Sequence, residues 1–120
     1  MTSSLVKSLY EFWSSFGIPA YAEDGVPDNA VLPYITYSVV NPDWDSASSI
    51  NARVWYRDTS YVSISSKLDE ISDRIGDGLS IATENDMVIL FKDDNFIQFQ
   101  PYNDNTMKIA YLSMIIMHLR

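Results

Sequence analysis

A chain of 120 residues is long enough to bury one core and too short for two ordinary domains, so a single unit is expected. Its 16 acidic residues against 8 basic ones, a net charge of −8, keep it soluble and repel a phosphate backbone, which argues against direct nucleic-acid binding. The absence of Cys excludes disulfides, thiolate catalysis and Cys-type zinc sites, and no apolar run reaches the roughly 18 residues of a membrane span. No N-terminal signal pattern is visible either, so a soluble chain is expected.

The first predicted element is a helix over residues 2–16. Thr2-Ser3-Ser4 supplies capping side chains, Leu5, Leu9, Phe12 and Phe16 recur at helical spacing, and Trp13 beside that stripe reads as core. Gly17-Ile18-Pro19 ends it, since Gly permits the cap and Pro cannot continue the ladder. An irregular connection rich in turn residues follows, with a short strand near Ala20 to Ala22.

Two strands come next. Leu32 to Val40 is β-branched and aromatic, with Pro33 at its start, where a missing N–H is tolerated. Ser49 to Arg57 alternates, placing Ile50, Ala52, Val54 and Tyr56 on one face and Asn51, Arg53, Trp55 and Arg57 on the other. Between them Asn41 to Ser48 is too long for a tight hairpin, and its Trp44, flanked by Asp43 and Asp45, suits a protruding loop. Asp58-Thr59-Ser60 then offers caps for a second helix, whose stripe is Tyr61, Ile64, Leu68, Ile71 and Ile75 and whose end is Gly76-Asp77-Gly78.

The last third predicts strands at 81–83, 86–91 and 96–100, with Lys92-Asp93-Asp94-Asn95 turning the second into the third as a hairpin. Pro101 to Thr106 is a further turn. Met107 to Leu119 carries Ile109, Tyr111, Ile115 and Met117 on one face and Ala110, Leu112, Met114 and Ile116 on the other, which suits a central strand, although a helix fits the same run. The expected class is α+β, with two helices packed on one face of a mostly antiparallel sheet.

Chemistry finds little support. His118 stands alone in the final strand with no partner motif. The carboxylates Asp43/Asp45, Asp69/Glu70/Asp73, Glu84/Asp86 and Asp93/Asp94 fall in turns or on a helix surface without Ca²⁺-loop spacing, so no metal or other cofactor is expected. The Ser clusters lack a nucleophile elbow, and 4 Gly make no phosphate loop. Interaction is the stronger theme, because 8 Tyr, 5 Phe and 3 Trp exceed what one small core absorbs. Trp44 with Asp43 and Asp45, and Trp55 on the polar strand face, are the candidate interface residues, with packing under the second helix as the alternative for Trp55.

Taken together, Leu32-Pro33-Tyr34-Ile35-Thr36-Tyr37, Asn51-Ala52-Arg53-Val54-Trp55-Tyr56, the Leu68-Ile71-Ile75 helix ending in Gly, and the apolar final strand resemble the tail-terminator, or tail-completion, proteins of long-tailed bacteriophages. These in turn are similar to minor tail and head-to-tail joining proteins. The resemblance spans nearly the whole chain. It implies a non-enzymatic virion subunit that forms a ring, usually hexameric, capping the tail tube and meeting the head connector. The implied partners are further copies of itself, the tail-tube protein and head-connector proteins, in the virion or in host cytoplasm during assembly. A head-side joining protein of similar fold, a monomeric acidic binding module and a small metal-assisted hydrolase are the competing readings.

Overall fold

The computed structural model describes residues 2–38, 48–82, 87–100 and 105–119. The elements in chain order are α1 (Thr2–Ser14), β1 (Ala20–Ala22), β2 (Tyr34–Tyr37), β3 (Ser48–Arg57), α2 (Val62–Ile75), β4 (Leu79–Ala82), β5 (Met87–Gln100) and β6 (Met107–Leu119). The fold is α+β, as the patterning predicts. The strands form a six-stranded sheet of order β1-β2-β3-β6-β5-β4, antiparallel except for the β1–β2 pair.

The final strand is central, bonded to β3 over ten register pairs and to β5 along most of its length. Pairing on both edges satisfies its backbone, one face (Ala110, Leu112, Met114 and Ile116) packs into the core under the helices, and the other carries Ile109, Tyr111, Ile115 and Met117 away from them. The parity read from the sequence holds. Val54↔Ala110, Ala52↔Leu112 and Ile50↔Met114 point to the helices, and Trp55↔Ile109, Arg53↔Tyr111 and Asn51↔Ser113 point away.

One expectation fails. Residues 92–95 do not turn the chain into a hairpin; β5 continues through them in one direction. Lys92 pairs with Met114 and Ile97 with Leu112, so 93–96 bulge out opposite the single residue Ser113. A hairpin would have paired the two halves of β5 with each other and left one side of β6 without ladder partners, whereas the bulge lets each half satisfy its share of β6. The bulge is tied down locally: Asp94 N–H donates to Asp93 Oδ1 at 2.8 Å, the Lys92 ammonium sits 5.4 Å from the Phe96 ring centroid, and Phe96 packs against the core.

The core lies between this sheet and the two helices. From α2 it takes Ile64, Leu68, Ile71 and Ile75, all buried, and from α1 Leu9, Phe12 and Trp13, joined by Phe16 just past the helix. The side chain of Leu5 lies outside the described residues. Trp13 stacks on Tyr37 at 6.5 Å and meets Phe12 edge-on at 4.7 Å. The helices are clasped where α1 ends: Lys67 Nζ donates to the Phe16 carbonyl at 2.6 Å and to Glu70 Oε1 at 2.9 Å, and the Arg74 guanidinium lies 5.7 Å from the Phe16 ring centroid. Cations at the end of α1 also complement its dipole.

Capping differs in detail from expectation. The residue preceding α2 is Tyr61, whose side chain caps nothing; instead Ser60 Oγ accepts the Val62 N–H at 3.1 Å and Asp58 Oδ1 accepts the Ser60 N–H at 3.1 Å. Gly76 closes the helix at φ 55°, its N–H donating to the Ser72 carbonyl. The Ser60 N–H, then the Ser63 hydroxyl, hold the Asp58 carboxyl below its ordinary value of 3.8. A group with a depressed folded pKa stabilises fully above the ordinary value and loses that contribution as pH falls through the lower, folded value. Asp58→Asn keeps the acceptor and removes the charge. It should therefore lower stability at neutral pH, where the charged carboxylate contributes fully, and flatten the acid limb of the stability–pH curve below pH 3.8, where variant and wild type converge, as read by urea midpoints at several pH values.

Candidate interaction surface

Both helices lie on one side of the sheet, so its other face carries no covering layer among the described residues. Alternation along each strand assigns that face. Tyr21, Tyr34, Thr36, Arg53, Trp55, Ile109, Tyr111, Gln98 and Gln100 occupy one half, and Ile89, Phe91, Ile115, Met87 and Met117 the other. Met87 and Met117 are exposed at 41% and 39%, more than an inward-facing sheet residue would be.

Trp55 belongs to this face and not to the space under α2. Its Nε1–H donates to Thr36 Oγ1 at 2.9 Å, its ring lies 5.9 Å from that of Tyr34, and Tyr34 meets Tyr21 edge-on at 5.7 Å, so an aromatic row crosses β3, β2 and β1. Next to it Arg53 is held from three directions. Nε donates to Gln100 Oε1 at 3.2 Å, Nη1 to Glu23 Oε1 at 3.3 Å, and the guanidinium lies 5.1 Å from the Tyr111 ring centroid. At this exposure the ion pair contributes only tenths of a kcal/mol. Its consequence is orientational, fixing a planar cation within an aromatic and amide surface. Arg57 Nη1 donates to Thr106 Oγ1 at 3.1 Å on the same face. The described residues of β1, β2, β3, β4 and β6 carry no carboxylate; Asp93 sits in the β5 bulge opposite Ser113, and Glu23, one residue beyond β1, borders the face.

Tyr, Trp, Met and Arg with few acids is the composition that distinguishes the centre of a protein–protein contact from ordinary surface. The face is amphipathic and, among the described residues, holds no nucleophile–base pair. The sequence singles out Trp55 on it. Asp43, Trp44 and Asp45 lie outside the described residues. Tyr21, Tyr34, Arg53 and Tyr111 were not singled out, because they come together only through the register β1–β2–β3–β6–β5, although the alternation of β3 and β6 already placed two of them on the right faces.

Two other features stand on the helix side. Tyr61, Val62, Ile97 and Phe99 form a smaller exposed apolar patch where β5 runs past the start of α2, with Tyr61 and Phe99 edge-on at 5.0 Å and the Lys108 ammonium 4.9 Å from the Tyr61 ring centroid. An open groove of about 260 Å³ between α1 and β4 is lined by Ser8, Glu11, Phe12, Arg74, Leu79 and Ile81, and Ser8 Oγ donates to the Ala82 carbonyl across it at 3.1 Å. One acid and one cation beside apolar walls do not make an acid–base pair.

No group of three or more His, Asp or Glu among the described residues could hold a metal ion, and no described helix is long and apolar enough to cross a membrane. The His118 side chain and the pair Glu84/Asp86 lie outside the described residues. Dialysis against a chelator is expected to leave the circular-dichroism melting curve unchanged; a transition lost and then restored by added metal would overturn that expectation.

No family model matches the chain, and no curated protein matches its sequence. A solved structure does share its fold: a chain from the virion of a native gene transfer agent particle superposes with a TM-score of 0.66 at 10% identity, covering 97% of this chain and 92% of that one. At that identity the likeness is one of fold, and it extends through both helices and the whole sheet.

Proposed function

We propose that this protein is a structural virion subunit of a phage-like particle, a tail terminator that forms a ring, closes the finished tail tube and presents a docking surface for the head connector. The observation that carries the reading is the fold shared, nearly end to end, with a component of a gene transfer agent virion. It is supported by the uncovered aromatic and arginine face, which suits a subunit buried between neighbours better than a lone monomer. The role is non-enzymatic. Its partners are further copies of the chain, the tail-tube protein and the head connector, and it belongs at the head–tail interface.

Deleting the gene in a strain that produces particles tests the role by electron microscopy. The expected outcome is filled heads beside unjoined tails whose tubes vary in length. Tails of uniform length with leaking or connector-less heads would move the subunit to the head side of the joint. Normal joined particles would sink the virion role.

A further inference from the structure

The uncovered sheet face and the outer ridge of α2 are opposite surfaces of one molecule with opposite chemistry. The half of the sheet face built from β1, β2, β3 and β6 carries Arg53 and Arg57 among Tyr and Trp, with no carboxylate on the described residues of those four strands and with Glu23 at its border against Arg53. The α2 ridge, turned away from Ile64, Leu68, Ile71 and Ile75, exposes Ser66, Asp69 and Asp73. Asp69 and Asp73 stand four residues apart, a like-charge spacing that weakens an isolated helix, so the ridge is not tuned for the helix alone. Lys67 turns inward to the Phe16 carbonyl and Glu70, and Arg74 to the Phe16 ring, which leaves those aspartates outside the pairs that join the two helices.

The geometry points to head-to-tail docking between copies of this chain, in which the Asp69/Asp73 ridge of one subunit's α2 lies across the Arg53/Arg57 face of the next. This rests on the ring reading above and names the two patches that build it. Because the patches differ, each subunit uses one as donor and one as acceptor, so the contact is heterologous, the kind that builds a ring when its rotation closes. The aromatic row of Tyr21, Tyr34 and Trp55 supplies the apolar area, and the arginines supply register and selectivity against the wrong orientation. Among the alternatives, the groove between α1 and β4 has only Glu11 and Arg74 as charged lining, and the Tyr61/Phe99 patch carries no carboxylate to pair with the arginines.

Two charge-reversed variants of the full chain test the docking by light scattering and sedimentation, with thermal melting to confirm the fold. The ridge variant is Asp69→Lys/Asp73→Lys, and the face variant is Arg53→Glu/Arg57→Glu. Each alone is expected to self-associate at least ~30-fold more weakly than wild type, since like charges are brought together across the contact. Mixed in equal amounts, they should regain association, because each then offers the other a complementary surface. Wild-type association should also weaken as salt is raised.

If wild type stays monomeric at every concentration, the ring reading fails and the docking with it. If wild type associates and the folded ridge variant associates equally well, the docking is overturned while a ring through other surfaces stands. A weakened ridge variant that the folded face variant does not rescue places the ridge against something other than the arginine face and overturns it too. Should the face variant lose its melting transition, Arg57→Glu alone replaces it in the mixing arm. Unaltered self-association with lost incorporation into particles would assign the face to a different virion protein.

Discussion

Truncating Trp13 to Ala is expected to lower stability by about 3–5 kcal/mol, the range for removing a large aromatic from a core. Trp13 is 1% exposed and packs among Phe12, Phe16 and Tyr37. The void cannot close easily. Tyr37 is held by its β3 partner Ala52, and the Phe16 carbonyl is anchored by Lys67, so neither wall is free to move inward. Urea denaturation checks this: the midpoint should fall with the slope unchanged. A midpoint close to wild type would mean that α1 is not docked on the sheet.

The second large effect belongs to α2. Leu68→Ala and Ile71→Ala are each expected to cost about 2–5 kcal/mol, because both side chains are essentially fully buried against the sheet. One turn apart on the same stripe, they share neighbours, so the double variant should depart from the sum of the singles by about 0.5 kcal/mol or more. Two near-normal midpoints would remove the helix-on-sheet arrangement. Strict additivity would mean instead that the two sites relax independently.

The parts of the fold legible in the sequence were those governed by local period. The Ile64-Leu68-Ile71-Ile75 stripe and the alternation of Ile50, Ala52, Val54 and Tyr56 each state which side faces the core, whereas Tyr61, expected to open that stripe, stands ahead of the helix and is exposed; 107–119 matched its strand at both ends. Even the three-residue β1 was foreshadowed by Ala20 to Ala22. Misreading 92–95 as a turn has a definite cause. Asp-Asp-Asn is turn chemistry in either structure, and whether the chain reverses or merely bulges depends on what lies beside it, here the length of β6. The surface was legible residue by residue but not as a surface. Trp55 and Arg53 could be placed on the polar face of β3, yet their union with Tyr34, Tyr21, Tyr111 and Gln100 required strand order and register, which no single segment encodes.

The bulge in β5 separates two properties that are normally linked, the length of a segment and the register of the sheet around it. Lys92 and Ile97 are each pinned by their own β6 partner, so the residues between them can grow in number without shifting either half of the strand. Lengthening such a connection costs only about 0.6 kcal/mol per doubling. The stretch around Asp94 and Asn95, exposed and polar, is therefore where the chain can be lengthened with the core left unchanged. For the same reason it is the place to insert an epitope or fluorophore tag that would report the subunit's position in an assembled particle.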